Sequence, residues 1–147
     1  KISSNDEIEA IERHGDKPLV ACLPTEKEEF KKVAEIINKF IDSGNETMGI
    51  ICKTQKQAKH LYDAIQNVST HICLITDESA AFSSGIIITT AHMAKGLEFD
   101  EVIVPFATAT NYSNEMDRSM LFIACTRAMH RLYLTATKEL STFIPKA

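Results

Sequence analysis

The stretch GIIITTAHMAKGLEFDEVIVP, residues 85–105, holds two apolar runs, Ile86-Ile87-Ile88 and Val102-Ile103-Val104. Continuous apolar runs of this length read as strands buried on both faces. Between them lie Thr89, Thr90, His92, the pair Lys95-Gly96, and the acids Glu98, Asp100 and Glu101. Thr89, Thr90 and His92 supply hydrogen-bonding groups at a strand end. Lys95-Gly96 joins a cation to a residue that permits close backbone approach. Glu98 can accept hydrogen bonds from a sugar hydroxyl, while Asp100 and Glu101 can simply cap the next strand. Each residue alone has an ordinary explanation as a loop or turn position. Together they put a cluster of polar functions where two buried strands meet.

The pattern extends in both directions. Residues 1–16 form a polar, charged segment, and residues 17–147 read as one domain. Pro18–Leu23 predicts a strand. Thr25 and Glu28 have capping-box spacing, and Phe30, Val33, Ala34, Ile37, Phe40 and Ile41 make the apolar face of a helix. Ser43-Gly44-Asn45 stops it. Met48–Cys52 is a second strand, followed by a helix opened by Thr54 and Gln57. His71–Ile75 is a third strand, and Asp77–Ser84 a loop or broken helix. After Glu101–Pro105 and a Thr/Ala/Asn-rich loop, Asn114 and Asp117 cap a helix expected to reach Ala128. His130–Thr135 is the last strand, and Lys138–Phe143 predicts a final helical turn. Strands alternating with helices argue for an α/β fold with a mostly parallel sheet flanked by helices on both faces. In such sheets ligands collect at the carboxyl ends of the strands.

Composition narrows the function. The net charge is −4, and from residue 47 onward 9 Lys+Arg face 9 Asp+Glu. Any nucleic-acid contact is therefore local, not a broad field effect. Cys22, Cys52, Cys73 and Cys125 form no C-x-x-C pair and sit in apolar runs, which reads as four buried thiols of a reducing compartment. No metal-ligand spacing, signal peptide or membrane span is visible. The polar start without methionine reads as a piece of a longer protein.

Two further segments carry chemistry. Lys53-Thr54-Gln55 stands where strand becomes helix, a place suited to phosphate oxygens or, equally, to a capping box beside a solvated lysine. In RSMLFIACTRAMHRLYLT, residues 118–135, Arg127 falls at a helix C-terminus. There it can satisfy helix carbonyls, or act as an arginine finger toward a transferring phosphoryl group.

TAHMAKGLEFDEVIVP and LFIACTRAMHRLYLT, in this order, resemble motifs V and VI of superfamily 1 helicases of the UvrD/Rep group. MGIICKTQKQAKHL resembles motif IVa of the same group. The resemblance implies a RecA-like C-terminal motor domain that pairs with an N-terminal RecA-like domain. It implies that Arg127 is the finger to the γ-phosphate, that Glu98 binds the ribose and that Gly96 brings backbone close to the phosphates. By the same resemblance, Thr90 and His92 link the nucleotide cleft to the nucleic-acid groove, and Lys53, Thr54 and Gln55 face a strand of single-stranded DNA. ATP and Mg2+ are implied for the full-length protein, bound mainly by the other motor domain, and a bacterial cytoplasmic location follows. Only 24 residues lie between Leu61 and Ile86, too few for the 2B subdomain of the larger members. The short connection from Val104 to Arg118 resembles the HelD branch, related to helicase IV, which implies RNA polymerase as an alternative partner.

The chain holds no G-x-x-x-x-G-K-[ST] loop. Without those backbone N–H groups a triphosphate loses most of its partners. The purified chain should therefore turn over no ATP. Phosphate release that is equal in wild type and Arg127→Ala would be contamination, whereas release abolished by Arg127→Ala would overturn the domain assignment.

Overall fold

The computed structural model describes residues 17–69, 71–75 and 85–144. Among them six strands form one sheet: β1 (Leu19–Leu23), β2 (Thr47–Cys52), β3 (Ile72–Leu74), β4 (Gly85–Thr90), β5 (Phe99–Val104) and β6 (Ala128–Thr137). Their order is β1-β6-β5-β2-β4-β3, and every pairing between them is parallel. Three helices complete the described elements: α1 (Glu26–Ser43), α2 (Gln55–Ile65) and α3 (Glu115–Cys125). The polar segment 1–16 and the whole of the loop expected at Asp77–Ser84 lie outside the described residues.

Successive strand side chains point to opposite faces, and two cores result. Met48, Ile50, Ile86, Ile88 and Ile103 meet Val33, Ile37 and Phe40 of α1 and Leu61 and Ile65 of α2. On the other face Ile51, Ile87, Val102 and Leu134 meet Leu121 and Ala124 of α3. Among the described residues, part of that second face is covered by no regular helix. Ala91 and Ala94, from the turns between β4 and β5, fill it, with Leu97 packed against them.

Phe99 and Val102 belong to the same core although three positions separate them. A register shift between Phe99 and Glu101 makes this possible, since regular alternation would put them on opposite faces. The Phe99 ring occupies the space above Gly49 of β2. A Cβ added at Gly49 would stand 2.6 Å from the ring. Gly49 is therefore a close-approach position, a role that its place in an apolar run did not reveal.

Several boundaries differ from expectation. α3 ends at Cys125, and Ala128 opens β6 instead of extending the helix. Residues 138–143 are not helical: Leu140 makes an antiparallel bridge to Thr108, followed by a turn. At α1 the Thr25 side chain accepts from Glu28 N, 3.2 Å away, whereas at α2 and α3 both halves of the capping box are present. Cys52 and Cys125 are buried as expected, but Cys22 and Cys73 are exposed. The latter two sit on β1 and β3, the sheet's outer strands.

Glu29 is a buried carboxylate on α1. Its Oε2 accepts from Phe106 N at 2.8 Å and from the Thr135 hydroxyl at 2.8 Å. Burial raises its pKa, and those two hydrogen bonds oppose the rise. Phe106 has a left-handed backbone, φ 57°, a conformation costing about 1–3 kcal/mol outside glycine. Glu29 and the Asn111 side chain, which donates to Phe106 O at 2.9 Å, hold it there.

Gly49→Ala should destabilise the fold by about 1–3 kcal/mol, because the ring must leave its place. Chemical denaturation measures it. Unchanged stability would show that the ring has room to yield.

Candidate functional site

Parallel strands define two edges of the sheet, and the candidate residues divide between them. At the carboxyl edge, β2 leads into Lys53, Thr54 and Gln55, and β4 ends in Thr89-Thr90 followed by His92. Ala91 N donates to Cys52 O at 3.0 Å, so the two loops leave side by side. At the amino edge, Glu98 immediately precedes β5 and Arg127 immediately precedes β6, with Phe99 and Ala128 in register. Glu98 and Arg127 therefore lie away from the carboxyl ends, where the two loops after β2 and β4 begin. Segment 91–98 joins the two edges.

The carboxyl edge is closely knit. Lys53 Nζ pairs with Asp117 Oδ1 at 2.8 Å and donates to Asn111 O at 2.6 Å. It also lies 5.8 Å from the centroid of the Tyr112 ring. Gln57 Oε1 accepts from Lys53 N at 3.1 Å and Thr54 N at 3.3 Å, while Thr54 Oγ1 accepts from Gln57 N. The capping box thus already uses part of the N–H array that a phosphate would meet. Thr54 and Gln55 remain exposed, as does His92. Thr90 is buried, and its Oγ1 accepts from Met93 N at 3.3 Å. Beside it the buried Thr89 hydroxyl has no hydrogen-bond partner among the described residues.

Asp117 does double duty. Its Oδ1 holds Lys53, and its Oδ2 accepts from Ser113 N at 3.0 Å and Asn114 N at 3.3 Å at the start of α3. The hydrogen bond from Lys53 holds its pKa below the ordinary carboxylate range, helped by those backbone donors against the cost of burial. Neither Asp117 nor Asn111 stood out as a site residue in the sequence. The Asn114–Asp117 cap was legible, but a partner 64 positions away leaves no local signal.

At the amino edge Arg127 is half-buried and its guanidinium donates to neutral oxygens. Nε reaches Ile123 O at 3.1 Å, Nη1 reaches Leu97 O at 3.4 Å, and Nη2 reaches Thr126 Oγ1 at 3.1 Å. The first is a helix C-cap contact; the second fastens the residue to segment 91–98. Gly96 has φ 82° and is exposed, and a Cβ there would meet nothing within 4 Å. The left-handed backbone, not crowding, is what calls for glycine. Glu98 is exposed. Among the described residues, an open glycine, an exposed carboxylate and a guanidinium held by neutral oxygens are thus the groups this part of the chain presents. Asp100 and Glu101 serve the fold: Asp100 Oδ2 accepts from Glu46 N at 2.8 Å, and Glu101 Oε2 accepts from Asn45 Nδ2 at 2.7 Å. Among the described residues no cluster of His, Cys, Asp and Glu could hold a metal, and no helix is long and apolar enough to cross a membrane.

The six-stranded parallel sheet with flanking helices is a RecA-like helicase C-terminal fold. It superposes on the C-terminal domain of the DEAD-box protein Dbp5 (TM-score 0.62, 14% identity, covering 86% of this chain and 79% of that one). It likewise superposes on the UvsW helicase of bacteriophage T4 (TM-score 0.57, 12% identity, covering 88% and 50%). At these identities the likeness concerns the fold alone. A crystal structure of the C-terminal domain of a possible DNA helicase from Lactobacillus plantarum WCFS1 matches far more fully, with TM-score 0.80 and 30% identity over 97% of this chain and 91% of that one. Residues 85–135 match the family model of the UvrD-like helicase C-terminal domain. The chain belongs to the UvrD-like helicase C-terminal domains. It is also similar to the ATP-dependent DNA helicase srs2 of Schizosaccharomyces pombe, 33% identical over 84 residues. That match covers 52% of this chain and about a tenth of the relative's length.

Because the folded state holds Asp117 below the ordinary range near pH 4, its link is fully present at neutral pH. The contribution is lost as pH falls from about 4 through the folded value. Asp117→Asn should cost about 1 kcal/mol at pH 7 and lose less stability than wild type on acidification. Denaturation midpoints at pH 7 and pH 3 measure this; equal acid sensitivity in both proteins would show that the link does not set it.

Proposed function

We propose that this chain is the C-terminal motor domain of an ATP-dependent superfamily 1 DNA helicase or translocase. It completes a nucleotide site shared with an N-terminal RecA-like domain, and it forms one side of a groove for single-stranded DNA. The observation that carries this reading is the division of the candidate residues. Gly96, Glu98 and Arg127 belong to one edge of the sheet, and Lys53, Thr54, Gln55, Thr90 and His92 to the other. Segment 91–98 touches both. A motor needs such a connection, because nucleotide closure at one ligand must be felt at the other.

In this reading ATP and Mg2+ bind mainly to the other motor domain, and the nucleotide supplies the phosphoryl group that is transferred to water. Arg127 meets the charge on the γ-phosphate, Glu98 accepts from the ribose, and Gly96 leaves its backbone open to the phosphates. The guanidinium can turn outward by giving up neutral hydrogen bonds, without breaking an ion pair. The balanced charge after residue 47 supports only local phosphate contacts, so strand binding by this chain alone is weak and salt-sensitive. The 24 residues between Leu61 and Ile86 are too few for an inserted subdomain, and the short connection from Val104 to Arg118 supports a place in the HelD-related branch.

The test is Arg127→Lys in the full-length protein with its phosphate-loop domain. Lysine keeps the charge and loses the planar fork. Arginine fingers contribute about 10³–10⁵ in rate, so kcat for ATP should fall by about a hundredfold or more. Near-normal turnover with a lowered melting temperature would leave Arg127 as a helix cap only.

A further inference from the structure

Lys53, a residue of the proposed groove, has a carboxylate at contact distance from its ammonium. That carboxylate is itself built into the first turn of α3. The Lys53 side chain is three-quarters buried, and its ammonium lies between Asp117 Oδ1 (2.8 Å), Asn111 O (2.6 Å) and the Tyr112 ring. A strand phosphate offers the same chemistry as Asp117, an anionic oxygen for an N–H donor. One ammonium carries a single positive charge, so a carboxylate already paired with it weakens its pull on a phosphate. The two anions must compete.

We propose that Asp117 is a positioning residue that occupies Lys53 in the absence of nucleic acid and is displaced by a backbone phosphate of a single strand. This inference rests on the groove proposed above. Displacement leaves Asp117 with its backbone donors, Ser113 N and Asn114 N, so the helix cap survives the exchange. The Asn111 carbonyl keeps the lysine in place while its anionic partner changes. Asp117 thus sets a threshold: a strand binds only with the free energy left after the internal pair is opened. The network behind it is continuous. Asn111 Nδ2 holds Phe106 O, and Phe106 N is held by Glu29. The lysine is therefore presented by a fixed frame, and the exchange is local.

The experiment measures binding of a fluorescently labelled oligothymidylate to the purified chain at low salt, for wild type, Asp117→Asn, Lys53→Ala and the double variant. Asp117→Asn should bind about fivefold tighter, the size expected for losing a partly exposed competing ion pair. The gain should vanish in the Lys53→Ala background. Asp117→Ser, which can still accept from backbone N–H groups, should repeat the result if the asparagine variant folds poorly; thermal melts report folding in each case. If Asp117→Asn binds no tighter while Lys53→Ala binds more weakly, the competition is refuted and the groove stands. If the gain persists without Lys53, it is a general charge effect and the competition is again refuted. If neither single variant changes binding, the groove assignment fails at Lys53, and the inference fails with it.

Discussion

Every strand of this sheet runs the same way, and that constraint shapes the rest. Parallel neighbours cannot be joined by a tight turn, so each connection must travel back from the carboxyl edge to the amino edge. Helices usually make this journey. α1 and α2 do so on one face, and α3 returns to β6 on the other. The step from β4 to β5 is made instead by residues 91–98, a chain of turns stabilised by Ala94 N to Thr90 O and Leu97 N to Ala94 O. Small alanines let it lie flat against the sheet. Such a crossover reaches both edges with its backbone and polar side chains exposed, which a packed helix would not.

α3 provides a second bridge between the same edges. Asp117 stands in its first turn, and Arg127 lies just past its end, ten residues on. At the usual helical rise this is about 15 Å. One end is fastened to β2 through Lys53, the other to segment 91–98 through Leu97 O. The two bridges thus meet at the amino edge. Phe99, seated over Gly49, anchors the start of β5 immediately beside that meeting point.

Much of this was legible from local pattern. The apolar runs gave the strands, and Thr54–Gln57 and Asn114–Asp117 gave both complete capping boxes. The errors have physical causes. No glycine or proline marks the end of α3, whose cap Thr126 keeps a right-handed backbone, so the helix looked longer than it is. After Ala128, β6 continues with Met129 and His130, both exposed, and an exposed strand start carries no apolar signature. The placement of Arg127 at the amino edge follows from its position just before a strand, but only once that strand's true start is known. The Lys53–Asp117 pair depends on tertiary packing and has no sequence period at all. Charge counting treated Lys53 as a solvated cation, whereas the fold had already given it a carboxylate.

The uneven burial of the cysteines has a practical side. Cys52 and Cys125 are sealed in the two cores, and burial pushes the Cys125 thiol up to about 12, far from the reactive thiolate. Cys22 and Cys73 are exposed on β1 and β3, the first and last strands in the sheet order. Five interstrand spacings separate them, about 24 Å across the sheet. The wild-type chain therefore carries two addressable thiols at opposite rims of one rigid layer. A dye pair attached there would report the integrity of the whole sheet, and either dye alone, matched with one on a neighbouring domain, would report its rotation.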